Sequence, residues 1–364
     1  MKIGIIATSN KENERRYPLH LEQIDKLTSE ELENIYFENN YPDLCFSKNV
    51  NLMKTLKREE VFSYCDLVIL PKPTKDDFKY FKDGQIFWGW PHAVQDIEFT
   101  SNAISKRMTV IAWENMYKWE NNVKKEHIFL RNNELAGFAS VTHCLSLLGI
   151  TSGIYGKDLK AAVIGYGSTG RGAVNALKSL GSTDITVFTR RNRSQISDVI
   201  ANVKFEQYKP QGDIVTCNND EFSNELKKFD IIVNCVLQDP VSPLIFIRDK
   251  DLSMFKDRTI IIDVSCDKGM GFEFAKPTSF ESPIFNYKNV VYYSVDHTPS
   301  YYYNAASYEI SSALFPYLRH ILETGSYKDN YTLEKACDIV NGIVLNRKII
   351  DFQKRNPNFP HHLE

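Results

Sequence analysis

The strongest constraint on this chain lies near its middle. Residues 161–164 form an apolar, strand-like run that leads directly into Gly165-Tyr166-Gly167-Ser168-Thr169-Gly170. A helical pattern follows over 171–180, then a second strand-like run over 185–188. A G-x-G-x-x-G turn set between strand and helix in a β-α-β unit is the arrangement that binds a dinucleotide pyrophosphate. Gly165 permits the tight turn, Gly167 lets the backbone approach the pyrophosphate, and Gly170 lets helix pack closely on strand. The helix start, with Ser168 and Thr169, offers N–H groups and a positive dipole end to the phosphates.

The end of the second strand decides which dinucleotide. An NAD site usually places Asp or Glu there to bond the ribose 2′-OH. This chain reads Phe188-Thr189-Arg190-Arg191-Asn192-Arg193, with no carboxylate from 185 to 197. A carboxylate would repel a 2′-phosphate, whereas a guanidinium grips it bidentately. NADP(H) is therefore expected over NAD(H), with Thr189, Arg190 and Arg191 as contacts.

The rest of the chain fits the same architecture. At 364 residues it suggests two domains. Strand-like runs at 3–7, 66–70, 85–88 and 108–113 precede the glycine turn, and others at 231–236, 259–264 and 290–294 follow it. Helical patterns occupy 18–34, 134–149 and 305–324. This alternation predicts an α/β fold with parallel sheets and crossover helices. The polar tail after Asp351 is expected to be loosely ordered.

Composition narrows the function. Lys+Arg (44) nearly balances Asp+Glu (46), a net charge of −2, so there is no electrostatic footprint for nucleic acid or an anionic membrane surface. No apolar stretch is long enough for a membrane span, and the N-terminal run is too short for a signal peptide. Cysteines 45, 65, 144, 217, 235, 266 and 337 are scattered, without a C-x-x-C pair. That suggests reduced thiols in a cytoplasmic protein and no metal site.

Several segments occur in one order: ENERRYPLH, VILPKP, GQIFWGWPHA, ELAGF, the glycine turn, IIDVSCDKG and DHTPS. This ordered set resembles the alanine dehydrogenase superfamily over roughly residues 1 to 320. The group includes alanine dehydrogenases, transhydrogenases and lysine-forming saccharopine dehydrogenases. The resemblance is strongest to the N5-(carboxyethyl)ornithine synthases, through the E-R-R-x-P-L, G-Q-x-x-x-G-W-x-H and T-P-S stretches. It implies two Rossmann-like domains with the dinucleotide domain (131–299) inserted into a substrate domain (1–130 plus 300–364), and a cleft between them.

The resemblance also implies roles. Arg16 matches the arginine that binds the substrate carboxylate, with Arg15 as its neighbouring decoy. Lys72 matches a lysine that holds the keto oxygen or serves as acid/base, and Lys75 is its decoy. His92 matches the histidine of proton transfer. Asp267 matches an aspartate near nicotinamide and substrate, while Asp263 reads as structural. Asn234 and Val236-Leu237 fall where the family lines the nicotinamide ribose, and Glu134 to Gly137 where a helix start faces the nicotinamide. Two departures stand out: His297, beside the cofactor where relatives often carry Asn, and the bulky run Tyr301 to Tyr303.

Together these features imply an NAD(P)-dependent oxidoreductase acting on CH–NH bonds in amino-acid metabolism. The expected reaction is reductive amination. A pyruvate-like 2-oxo acid condenses with an ornithine or lysine side-chain amine, and the imine is reduced to an N-carboxyalkyl amino acid. The alternatives are an alanine or saccharopine dehydrogenase, a secondary-metabolite imine reductase, and a non-catalytic dinucleotide-binding module. The expected partners are small molecules, with a homo-oligomer left open.

Overall fold

The computed structural model describes residues 1–41, 49–197, 199–212, 214–238 and 242–363. In chain order, the strands before the glycine turn are β1 (Ile3–Ile5), β2 (Ile35–Glu38), β3 (Lys54–Leu56), β4 (Leu67–Leu70), β5 (Ile86–Gly89), β6 (Thr109–Ala112), β7 (Tyr117–Glu120) and β8 (Val123–His127). Next come β9 (Ala161–Ile164), β10 (Ile185–Thr189), β11 (Lys204–Gln211), β12 (Ile214–Cys217), β13 (Asp220–Glu221), β14 (Ile231–Asn234) and β15 (Ile245–Ile247). The last are β16 (Thr259–Asp263), β17 (Gly271–Phe272), β18 (Ile284–Tyr287), β19 (Val290–Tyr293), β20 (Cys337–Val340) and β21 (Ile343–Val344). The chain divides into two compact units. Unit 1 is Met1–Leu130 with Tyr303–Glu364, and unit 2 is Arg131–Tyr302.

Unit 1 is built on an eight-stranded sheet of order β21-β20-β6-β5-β4-β1-β2-β3. The strands from β6 to β3 pair in parallel, and β20 and β21 add antiparallel at one edge. Every residue of β1, β4 and β6 is buried, because crossover helices cover both faces of a parallel sheet. The returning helix Tyr303–Thr324 contributes Ile310, Leu314, Leu318 and Ile321 to the core that holds Ile3, Ile5 and Trp88.

Unit 2 repeats the plan. Its nine-stranded sheet has the order β13-β12-β11-β10-β9-β14-β16-β19-β18, parallel from β11 to β19. In both sheets the winding direction reverses beside the first strand, at β1/β4 and at β9/β14. The crevice at such a reversal, outside the strands' carboxyl ends, is where doubly wound sheets take ligands.

Two readings need correction, and one stretch left unassigned by the sequence proves to be part of the sheet. The helical pattern over 18–34 resolves into two four-residue helices, Leu21–Ile24 and Ser29–Leu32. Residues 204–211, 214–217 and 220–221, polar and unassigned from the sequence, form the antiparallel β11-β12-β13 extension. The tail after Asp351 is packed rather than loose. Arg355 is 5% exposed and donates to Gln353 Oε1 (2.5 Å), the His361 carbonyl (3.1 Å), the Ile97 carbonyl (3.2 Å) and Ser101 Oγ (2.7 Å). A buried guanidinium is costly unless it is bonded in this way. Six described cysteines carry free thiols, and Cys45 lies outside the described residues. Among the described residues no helix is long and apolar enough to cross a membrane.

Candidate active site

In unit 2 the glycine turn sits at the end of β9, beside the reversal of winding. Gly165 has φ +93°, and a Cβ there would come within 3.0 Å of the Cys235 carbonyl. A Cβ on Gly170 would lie 2.1 Å from the Gly165 carbonyl oxygen. Those two glycines are demanded by the protein's own packing. Gly167 is different: among the described residues a Cβ would meet nothing within 4 Å. Gly167 also caps the helix Ser168–Ser179 without any side-chain hydrogen bond. Open space before an uncapped helix start is what a pyrophosphate needs, so these residues fit a dinucleotide.

The strand end after β10 separates the two arginines. Arg190 is exposed, and its carbonyl accepts from Gln207 Nε2 at 3.0 Å. The Arg191 guanidinium turns back and donates to the Tyr166 carbonyl inside the glycine turn. Thr189 is buried, and its hydroxyl accepts from the Arg191 N–H at 3.3 Å.

The side chain of Asn234 is spent within unit 2. Its Nδ2 donates to Asp263 Oδ1 (2.9 Å), and its Oδ1 accepts the Val236 N–H (3.2 Å). Asn234 therefore shapes the loop that carries Val236, whose carbonyl in turn accepts from Ser265 Oγ (2.7 Å). Asp263 also accepts from Tyr292 Oη at 2.7 Å. Burial pushes its carboxyl up to about 6, against these hydrogen bonds. Cys266 is left-handed at φ +59°, with its sulfur 3.2–3.4 Å from three carbonyls and its thiol held far above the ordinary range by burial. Asp267 follows it, raised first by burial and then by the charge of Asp296. His297 (φ +48°) lies against Phe280, with ring centroids 4.9 Å apart, and its Nδ1 is 3.3 Å from Asp296 Oδ2.

In unit 1 the loops after β1, β4, β5 and β6 leave the same edge of the sheet. Arg16 is 3% exposed and Arg15 is exposed, so burial distinguishes the pair. Arg15 stacks on Tyr303, 4.2 Å from the ring centroid. Arg16 is held through one edge of its fork by buried Glu14, with Nε–Oε1 at 2.7 Å and NH2–Oε2 at 2.5 Å. Its guanidinium lies 4.9 Å from the Trp90 ring centroid. The two lysines divide in the same way. Lys75 is on the surface, paired with Glu98, whereas Lys72 is buried and its carbonyl accepts Ser9 Oγ at 2.5 Å.

His92 sits at φ +48° in the loop after β5, with a half-exposed ring. Its N–H donates to Glu114 Oε1 at 2.8 Å, and its Nδ1 lies 3.5 Å from the same oxygen. Burial is the main cause that pushes the Glu114 carboxyl up to about 8; Asp338 adds to this and Lys72 opposes it. Unit 1 thus gathers Arg16, Lys72 and His92 at one edge, while Asp267, Asn234 and His297 stand in unit 2. Glu14 and Glu114 were not singled out from the sequence. Their only signal is position, an acid two residues before the arginine and an acid just beyond an apolar strand.

The chain matches the family described as alanine dehydrogenase/PNT, C-terminal domain, over residues 142–347, more than half of its length. It is 26% identical over 328 residues to an N(5)-(carboxyethyl)ornithine synthase of Clostridium botulinum, covering 86% of this chain and 92% of the relative. A Lactococcus lactis protein of the same name is 28% identical over 331 residues, 86% of this chain and 94% of its own. An alanine dehydrogenase of Methanococcus maripaludis is 24% identical over 305 residues, 79% and 78% of the two chains. Among solved structures, an L-alanine dehydrogenase superposes with a TM-score of 0.79 at 18% identity, covering 97% of this chain and 99% of its own. A transhydrogenase from Sinorhizobium meliloti gives 0.76 at 14%, covering 95% and 100%. At such low identity these two structures bear on the fold alone. The family in turn implies a nicotinamide dinucleotide as cofactor, and the glycine turn fits one. The chain belongs to the alanine dehydrogenase/PNT C-terminal domain family and is an oxidoreductase of that family.

Proposed function

We propose that this enzyme uses NADPH to reduce the imine formed between a pyruvate-like 2-oxo acid and the side-chain amine of ornithine or lysine, yielding an N-carboxyalkyl amino acid. The observation that carries this reading is the unit 1 cluster. It sets a buried, pre-oriented arginine, a buried lysine and a half-exposed histidine at one sheet edge. The names of the Clostridium and Lactococcus relatives support the choice of substrate.

Arg16 receives the carboxylate of the 2-oxo acid at the edge of its fork away from Glu14. Glu14 keeps that fork from swinging. Lys72 Nζ donates a hydrogen bond to the keto oxygen, polarises the carbonyl, and gives that oxygen a proton as the carbinolamine forms. As the amine nitrogen attacks the keto carbon, His92 takes its proton, then returns it to the departing hydroxyl, which leaves as water. Asp267 binds the amino-acid partner through its ammonium group. The dinucleotide, when bound, supplies the hydride that the imine carbon accepts. Gly167 and the start of helix Ser168–Ser179 hold its pyrophosphate.

Arg190 reads the 2′-phosphate in this proposal, while Arg191 braces the turn. Arg190→Ala should raise the KM for NADPH roughly 10–100-fold, the worth of one or two charge-assisted hydrogen bonds, and leave NADH nearly unchanged. Arg191→Ala should weaken both cofactors alike, because it removes a bond to Tyr166. Equal losses for both cofactors in Arg190→Ala would refute the 2′-phosphate reading.

The reaction itself is tested by NADPH consumption with pyruvate, 2-oxoglutarate and glyoxylate, each crossed with ammonia, ornithine and lysine. Turnover only with pyruvate plus ornithine or lysine is expected. Turnover with ammonia would instead make the enzyme an amino-acid dehydrogenase, the reading that the Methanococcus relative favours.

A further inference from the structure

Glu114 is the acid in the unit 1 cluster that the proposed chemistry leaves unused. It lies in the single 3-10 turn Trp113–Asn115 after β6. That turn is pinned from two sides. Trp113 is fully buried between Trp90 and Phe129, with ring centroids at 4.6 and 5.1 Å. Asn115 donates to Asp338 of β20 at 2.8 Å, and Asn346 holds the same carboxylate oxygen at 2.9 Å. The Glu114 carboxyl is thereby fixed in space. Oε1 meets both the His92 N–H and the Nδ1 side of the ring, while Oε2 is buried and has no hydrogen-bond partner among the described residues. His92 is left-handed, a conformation that a non-glycine residue keeps only where its surroundings hold it.

We propose that Glu114 is a positioning residue that acts through His92, fixing the ring from its backbone N–H and its Nδ1 side so that Nε2 is the nitrogen presented for proton transfer. This rests on the reading of His92 as the proton-transfer residue. In the cycle, the proton moves from the attacking amine to Nε2 and from Nε2 to the departing hydroxyl, and Glu114 neither gains nor loses one. Its ionised form stabilises the imidazolium and its neutral form does not, so the two groups titrate as a pair. Each charged or titratable neighbour has a definite sense. Lys72 favours the carboxylate, and Asp338 on β20 disfavours it. His127 on β8, whose Nε2 is 3.2 Å from the Glu114 carbonyl, is pushed down to about 4 by burial and stays neutral. Burial pushes the Glu114 carboxyl up to about 8, so the ionised form that supports the imidazolium fills in as pH rises through that value.

The test is Glu114→Gln in the full chain. Glutamine keeps an oxygen for the His92 N–H, so the melting temperature should hold, but it cannot ionise. Turnover should fall at least about tenfold, with KM for NADPH and 2-oxo acid within about twofold. In protein labelled with 15N-histidine, the His92 ring signals should follow two coupled titration steps in the wild type and one in the variant. Two outcomes are distinct. If His92→Asn keeps wild-type turnover, the underlying reading of His92 fails. If His92→Asn is inactive while Glu114→Gln keeps both the wild-type turnover and the wild-type His92 titration, the Glu114 proposal is overturned.

Discussion

His92→Asn should lower kcat by roughly 10²–10⁴-fold, the usual contribution of a positioned acid/base group, with cofactor affinity unchanged. Asparagine is the informative replacement because of the backbone. At φ +48° most side chains are strained, and asparagine is among the few residues that tolerate the left-handed region. Its N–H can still donate to Glu114, so the loop between Trp90 and the helix Ile97–Ser105 stays in place. Alanine would mix a chemical loss with backbone strain. Steady-state kinetics with a fluorescence titration of NADPH separates turnover from binding. A rate within about threefold of wild type, outside the range a proton-transfer group gives, would remove His92 from the mechanism.

Gly172→Ala should cost stability where a helix table says it should help. Alanine is favoured over glycine inside a helix by about 1 kcal/mol. At Gly172, however, the new Cβ would lie 1.7 Å from the Glu134 carbonyl oxygen. A Cβ on Gly137, across the same crossing, would lie 1.9 Å from the Thr169 carbonyl. The helices Leu130–Leu147 and Ser168–Ser179 therefore meet backbone to backbone. Forcing them apart should cost about 3 kcal/mol, a fall in melting temperature of roughly 6–12 °C for a unit of this size. It should also weaken dinucleotide binding, because the displaced helix carries the phosphate-facing turn. Gly167→Ala is the contrasting case. With nothing near its Cβ, the variant should melt as wild type yet lose dinucleotide affinity. A Gly172→Ala protein that melts at or above wild type would contradict the close crossing.

How much of this could be read from the residues depended on how local each cause is. The glycine turn was legible because Gly165 answers to its own left-handed backbone and Gly170 to the Gly165 carbonyl five residues earlier. The core strands β4, β6, β9 and β16 were legible because strands covered on both faces are continuous apolar runs. The β11 strand, KFEQYKPQ, is largely polar and half-exposed, and only its partners β10 and β12 make it a strand. Arg355 reads as a surface residue until Gln353, His361 and Ser101 surround it. Arg16 and Arg15 are separated in the sequence only by the resemblance, through their place before the x-P-L stretch, and not by residue type. What separates them in the structure is the Glu14 carboxylate and the Trp90 ring on one side, and Tyr303 on the other. Glu114 was illegible for a related reason: its contact is with His92, 22 residues earlier, reached because β5 and β6 pair in parallel.

The division of the chain has a consequence for its synthesis. Unit 2 is one continuous stretch, whereas unit 1 needs Tyr303–Thr324 to cover its core and β20 to pair with β6. While the ribosome adds residues 131–302, at about 5–20 residues per second, the first 130 residues wait with Ile3, Ile5 and Trp88 lacking their cover. For roughly ten to thirty seconds the apolar face of that segment stays open. Unit 2, by contrast, can fold as it is made. A nascent chain would complete the unit that carries the glycine turn before it completes unit 1.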